Sequence, residues 1–237
     1  IYRNEGNNSF TEQSSISMTG VSEGEAKWGD YDNDGDLDIL LVGMSGFYCT
    51  DRIAKIYTNT GNNNFVEIIN LTLGGVYNGS VDWGDYDNDG DLDILLTGWQ
   101  CSQGFSRIYR NDGDNTFSIQ ESITLRGISG SEVHWTDYDN DGDLDILLGS
   151  YIYQDAGNNK FTEKNIFISV GANECTSDLG DYDNDGDLDV FLSGWYYVNY
   201  SPVYFSKIYR NDGGDMFVDQ SSISLPSVNN GSMRWGD

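Results

Sequence analysis

The sequence predicts an all-β fold, a β-propeller of four-stranded blades with four complete blades and a split, incomplete fifth. Three observations lead there. A nine-residue acidic string, Asp-Tyr-Asp-Asn-Asp-Gly-Asp-Leu-Asp, begins at Asp30, Asp85, Asp137 and Asp181, at spacings of 55, 52 and 44 residues. A second string, Ile-Tyr followed by an Asn/Gly-rich turn and a Phe, recurs from Ile1, Ile56, Ile108, Ile152 and Ile208. No window sustains a 3.6-residue apolar period, and 29 glycines punctuate the chain. Units of roughly 40–50 residues with four strand patterns read as blades, because a lone four-stranded meander cannot cover both its faces whereas stacked blades cover each other.

Within each unit the first strand ends in Trp-Gly-Asp-Tyr, at Trp28, Trp83 and Trp235, with Trp135-Thr136 and Leu179-Gly180 as variants. The second is the apolar run after the acidic string, as in Asp93-Ile94-Leu95-Leu96. The third is the Ile-Tyr string. Its turn is rich in Asn and Gly, which accept left-handed backbone angles. The fourth starts at Phe10, Phe65, Phe117, Phe161 and Phe217. Repeats therefore begin near 28, 83, 135, 179 and 235, in a single domain over 1–237, and residues 1–27 are the second half of a blade. The split blade has two readings: the chain is a piece of a longer array, which is preferred, or neighbouring molecules supply the remainder through self-assembly.

The chain has 237 residues and a formal charge of −27. The acidic strings hold 20 of its negative charges, so the acidity is local. With no basic patch to meet phosphates, nucleic acid is an unfavourable partner. No apolar run of about 18 residues exists to insert in a membrane. Aromatic residues, 14% of the chain, supply the material for a core. Of the three cysteines, Cys49 and Cys101 fall in equivalent inter-strand segments; a bridge between them and chance placement both stay open, and Cys175 is left over.

Carboxylates at positions 1, 3, 5 and 9 with Gly at 6 form a calcium pattern: alternate side chains point inward, Gly allows the turn and residue 7 offers a carbonyl. Hard oxygen donors in this number suit Ca²⁺ over Mg²⁺. Position 12 is Leu and the flanks read as strands, so this is not an EF-hand. Four identical copies argue against a merely solvated acidic turn, and without a cation the carboxylates would repel.

The string, set between a Trp-Gly-Asp-Tyr strand and an apolar strand, resembles the FG-GAP/VCBS repeats of integrin-α-like propellers. The resemblance covers essentially the whole chain. It implies calcium ligands at Asp30, Asp32, Asp34 and Asp38 with the Asp36 carbonyl; Asp85, Asp87, Asp89 and Asp93 with Asp91; Asp137, Asp139, Asp141 and Asp145 with Asp143; and Asp181, Asp183, Asp185 and Asp189 with Asp187. About four structural Ca²⁺ ions are implied, and Asp237 would begin a fifth site. The family serves in adhesion, glycan binding and enzyme accessories, so the resemblance specifies fold better than function.

Function is expected on the opposite face, where the loops between second and third strands vary most. The segment 195–205 concentrates aromatics, and Trp195, Tyr196, Tyr197, Tyr200 and Tyr204, with Trp99 at the matching place in the second blade, are ligand candidates that suit a glycan or a protein; packing is the competing role. His134, the single histidine, sits at a position occupied elsewhere by Lys27, Asp82, Asp178 and Arg234, and no nucleophile accompanies it, so no catalytic site is expected. Acceptor sequences for N-glycosylation stand at Asn7, Asn70, Asn78, Asn199 and Asn230. The expectation is an extracellular or cell-surface binding module. The alternatives are a repeat subunit of a surface filament or sheath, and an accessory domain of a polysaccharide-active enzyme.

Overall fold

The apolar run after each acidic string is buried on both faces, and that single fact dictates the architecture. In the computed structural model, which describes residues 1–164, 173–228 and 233–236, Ile39 to Val42, Ile94 to Leu96 and Ile146 to Leu148 are all buried. A strand buried on both sides needs a sheet on each side of its own.

The chain supplies them in order. A two-stranded hairpin, β1 (Tyr2–Gly6) and β2 (Ser9–Glu12), comes first. Four antiparallel four-stranded sheets follow. The first is β3 (Ala26–Gly29), β4 (Asp38–Met44), β5 (Arg52–Asn59) and β6 (Phe65–Glu67). The second is β7 (Tyr77–Gly84), β8 (Asp93–Trp99), β9 (Gly104–Asn111) and β10 (Phe117–Ile119). The third is β11 (Val133–Thr136), β12 (Asp145–Leu148), β13 (Tyr151–Asp155) and β14 (Phe161–Lys164). The fourth is β15 (Asn173–Gly180), β16 (Asp189–Val198), β17 (Ser201–Asn211) and β18 (Phe217–Asp219). Every sheet pairs consecutive strands, so these are the predicted propeller blades. The third-to-fourth-strand turns place Asn62 and Asn63, Asp114 and Asn115, and Asn158 and Asn159 at positive φ, which explains the Asn-rich string.

The core lies between blades rather than within them. One buried cluster joins Tyr31, Leu40 and Ile56 of blade one to Val81, Ile94 and Phe117 of blade two. Equivalent clusters join blades two to three and three to four. At three places an aromatic of the following unit lies on the preceding blade: Trp83 stacks on Tyr31 at 5.9 Å, Trp135 on Tyr86 at 5.7 Å and Trp235 on Tyr182 at 5.9 Å, while Leu179 stands at this place between blades three and four. Trp28 has no such Tyr and is 51% exposed.

This stacking explains the Gly of Trp-Gly-Asp-Tyr. A Cβ on Gly29 would sit 2.6 Å from Trp83 Cδ1, one on Gly84 2.6 Å from Trp135 Cδ1, and one on Gly180 2.8 Å from Trp235 Cδ1. Where Thr136 replaces this Gly, Leu179 replaces the Trp of the next blade. The two variants therefore compensate each other, the smaller Leu leaving room for a side chain. Accordingly, Gly84→Thr is expected to cost about 3 kcal/mol by overpacking, and Gly84→Thr combined with Trp135→Leu less than the two single costs together. A coupling of at least about 1 kcal/mol in a denaturant double-mutant cycle is the expected outcome; additive costs would show that the two sites do not share the space.

Two expectations need correction and one open question is settled. The segment 195–205 is not a loop: β16 and β17 run on as a regular hairpin, pairing Trp195 with Tyr204 and Val198 with Ser201. Only Asn199 and Tyr200 form its turn, at φ 48° and 66°. Its run of aromatic residues with Val198 and Val203 favours the strand over the loop. Second, residues 233–236 are not a strand among the described residues; Trp235 stacks on blade four, but no second strand pairs with its backbone. Third, the cysteine question resolves into a Cys49–Cys101 disulfide, tying the second-to-third-strand connections of blades one and two, while Cys175 is buried. Asp237 and Asn230 lie outside the described residues.

Candidate metal centres and aromatic hairpin

Each acidic loop folds on its own hydrogen bonds. Asp30 accepts the Asp34 N–H on Oδ1 at 3.0 Å and the Gly35 N–H on Oδ2 at 3.1 Å. Asp34 in turn accepts the Asp36 N–H at 2.9 Å. The same three bonds recur in the other loops. Gly35, Gly90, Gly142 and Gly186 take φ of 93° to 98°, which a side chain resists.

The ninth residue does different work. Asp38 is fully buried and accepts the Tyr31 N–H at 3.2 Å and the Asn59 N–H at 2.7 Å, so it fastens the loop to the third strand. Asp93, Asp145 and Asp189 each bind two backbone N–H groups in the same way. Burial, reinforced by neighbouring Asp charges, pushes these carboxyls up against the lowering effect of the N–H bonds: Asp38 to about 6, Asp93 to about 7 and Asp145 to about 8, with Asp189 also raised.

The structure brings together three of the predicted ligands in every loop. One oxygen from each of Asp30, Asp32 and Asp38 lies within 4.8 Å of the others, and so for Asp85, Asp87 and Asp93; Asp137, Asp139 and Asp145; and Asp181, Asp183 and Asp189. The fifth-position residues, Asp34, Asp89, Asp141 and Asp185, fall outside these triads. The seventh-position side chains point to the neighbouring blade, a link the sequence did not disclose. Asn33 donates to Asp91 at 2.8 Å, Asn88 to Asp143 at 3.2 Å and Asn140 to Asp187 at 2.8 Å. The residues fit a cation: Asp87 Oδ1 and Asp139 Oδ1 are buried without a hydrogen-bond partner, and an oxygen-only donor set suits a hard divalent ion.

On the opposite face the β16–β17 hairpin sorts its aromatics by alternation. Tyr196 packs with Phe205 against the blade-four core, so it is not available on the outer face. Trp195 and Tyr197 share the other side, ring centroids 5.0 Å apart and perpendicular, opposite Tyr204 and Pro202. Tyr200 is fully exposed at the tip and Tyr197 is 61% exposed. Glu174 holds the Trp195 indole N–H at 3.1 Å. Trp99 occupies the matching strand end, paired with Tyr77 and Gly104.

His134 finds a partner in the next blade. Its Nε2 lies 2.9 Å from the Ser177 carbonyl. Its position alternates between basic and acidic residue types along the blades, Lys27, Asp82, His134, Asp178, Arg234. Asp82 and Asp178 accept the N–H groups of Trp135 and Trp235 from the next unit, so the alternation belongs to blade joining. The Arg of the Ile-Tyr-Arg string pairs with an acid two residues on, as in Arg110 with Asp112 and Arg210 with Asp212.

Three stretches of the chain, residues 1–41, 30–96 and 98–148, match the model of the FG-GAP-like repeat. Together they span more than half of the 237 residues. The fourth blade carries the same acidic string. No curated protein matches the chain. No helix of the described residues is long and apolar enough to cross a membrane.

Proposed function

Since the chain belongs to the FG-GAP-like repeat family, a family of β-propeller-type binding modules that are generally non-catalytic and typically extracellular, we propose that it is a calcium-stabilised binding module that presents a glycan or protein ligand site on the face opposite its acidic loops. The observation that carries the calcium part is the fourfold Asp triad, two copies of which hold a buried oxygen, Asp87 Oδ1 and Asp139 Oδ1, lacking a partner. In this reading Ca²⁺ offsets most of the charge of each triad and holds the first-to-second-strand loop against the third strand. The ion stabilises the blades and takes no part in turnover. The Cys49–Cys101 disulfide supports an oxidising, extracellular or cell-surface setting.

The binding part rests on the hairpin. Exposed aromatics normally cost solubility, yet Tyr197 and Tyr204 stand on a regular strand pair, with Tyr200 in its two-residue turn, whose stiffness limits the entropy lost on binding. Aromatic faces beside Asn199 and Ser201 suit sugar rings or a protein surface. A glycan array and a panel of extracellular matrix proteins, probed with the calcium-loaded chain, should give a saturable ligand whose affinity falls at least about tenfold in Trp195→Ala and Tyr197→Ala, a loss of about 1.4 kcal/mol. Binding unchanged in both variants would remove the hairpin from the ligand site.

A further inference from the structure

Between the second and third blades, on the hairpin's side of the molecule, lies a cleft of about 300 Å³. One wall is the Trp99 indole. The other is Tyr151 at the start of β13, with the Arg126 guanidinium 4.6 Å above its ring. Between them run Gly127, Ser129 and Ser131. The cleft is open because only Gly149 and Ser150 join β12 to β13, where blade four raises its long hairpin.

The floor is closely fitted. A Cβ on Gly104 would meet the Gly127 carbonyl oxygen at 2.4 Å, and one on Gly127 would meet the Gly104 carbonyl oxygen at 2.1 Å, so two backbones touch where side chains would fill the space. Arg126 is the single charged side chain of the lining. Its Nε–H is already donated to Glu163 at 2.9 Å, a carboxylate that also accepts the Tyr153 hydroxyl. The cleft therefore offers donors and hydroxyls without net charge, in a molecule whose axial cavity is instead lined by Glu23, Glu25, Glu132 and Glu174. Ser131 Oγ accepts the Cys175 N–H at 3.0 Å, which leaves its O–H to donate.

We propose that this cleft binds one neutral pyranose unit. The aliphatic face of the ring lies on Trp99, and its hydroxyls meet Arg126, Ser129 and the main chain at Gly127. A space at the lower end of ligand-pocket volumes admits one ring, and a paired cation with hydroxyls suits an uncharged polyol better than an anion. The inference rests on the chain being a binding module, but it uses residues separate from the hairpin.

The test titrates the calcium-loaded chain with methyl glycosides of neutral hexoses and N-acetylhexosamines, and with a methyl uronide, following tryptophan fluorescence and amide NMR shifts. Saturable binding of a neutral glycoside in the millimolar range is expected, weakened at least about tenfold in Trp99→Ala and in the cleft-filling Ser129→Tyr, and retained in Glu12→Ala on the exposed N-terminal hairpin. Ser129→Tyr should keep the parent melting temperature, which separates a blocked cleft from a damaged fold. The proposal is overturned by no saturable shift with any neutral glycoside in a folded sample, by binding indifferent to both cleft variants, or by binding of the uronide alone. A ligand lost only in Trp195→Ala would support the module reading while overturning the cleft.

Discussion

Stripped of calcium at pH 8, the protein is expected to melt about 15–25 °C below its calcium-loaded form. Four sites with Kd of about 10⁻⁴ M in about 2 mM calcium each stabilise the folded chain by about 1.8 kcal/mol. The total of about 7 kcal/mol, at roughly 2–4 °C per kcal/mol for a domain of this size, gives that drop. The pH dependence carries a second signature. Without the ion, Asp38, Asp93 and Asp145 hold protons up to about 6, 7 and 8, whereas an unfolded Asp releases its proton near 3.9. The folded state then binds more protons than the unfolded state between about pH 4 and 8, so ion-free stability falls as pH rises through that window. The groups shifted the other way, such as Glu163, Asp212 and Asp215, belong to surface ion pairs of small net effect. The ion-free chain should melt higher at pH 5 than at pH 8, and calcium should reverse the order, because the ion binds the deprotonated triads. Differential scanning calorimetry at both pH values, with calcium and with EDTA, checks both.

Asp93→Ala should be the most damaging of the single loop substitutions, costing about 5 kcal/mol. It leaves the N–H groups of Tyr86 and Asn111 buried without an acceptor, at about 1–3 kcal/mol each, and it removes one calcium site. Asp93→Asn keeps one acceptor oxygen and loses the charge, so it should fall between the parent and Ala. Asp91→Ala, at the half-buried seventh position facing the preceding blade, should cost under about 1 kcal/mol, since it releases only the exposed bond from Asn33. Urea unfolding of the three variants in calcium gives the ranking. Equal costs at positions 91 and 93 would mean that the buried carboxylate does not fasten the loop to its blade.

The blades and acidic loops were legible in the sequence because repetition displays them four times over. The Asp string, the Asn-rich turn and the Trp-Gly pair each recur in register, and a local pattern is enough to read them. What remained hidden depends on contacts between residues far apart in the chain. Asn33 reaches Asp91 across 58 residues, and Asp38 holds a backbone N–H 21 residues on; nothing local marks either bond. The exchange of Gly and Trp for Thr136 and Leu179 was visible as two variants, but only the stacking of Trp135 over Gly84 at other junctions shows that they are one event. The aromatic segment 195–205 read as a loop because its length departs from the other blades. Its strands pair as a hairpin, which turns Tyr196 inward and Tyr197 outward.

The central claim is that four Asp triads are calcium sites on which the fold depends. Calorimetric titration of calcium into the ion-free chain at pH 7.5 or about that value, where the raised carboxyls are set to give up their protons on binding, tests it most directly. The account predicts about four ions per chain with proton release, and recovery of the full melting temperature as the sites fill. Fewer than one ion per chain, or binding that leaves the melting temperature where it was, would contradict it.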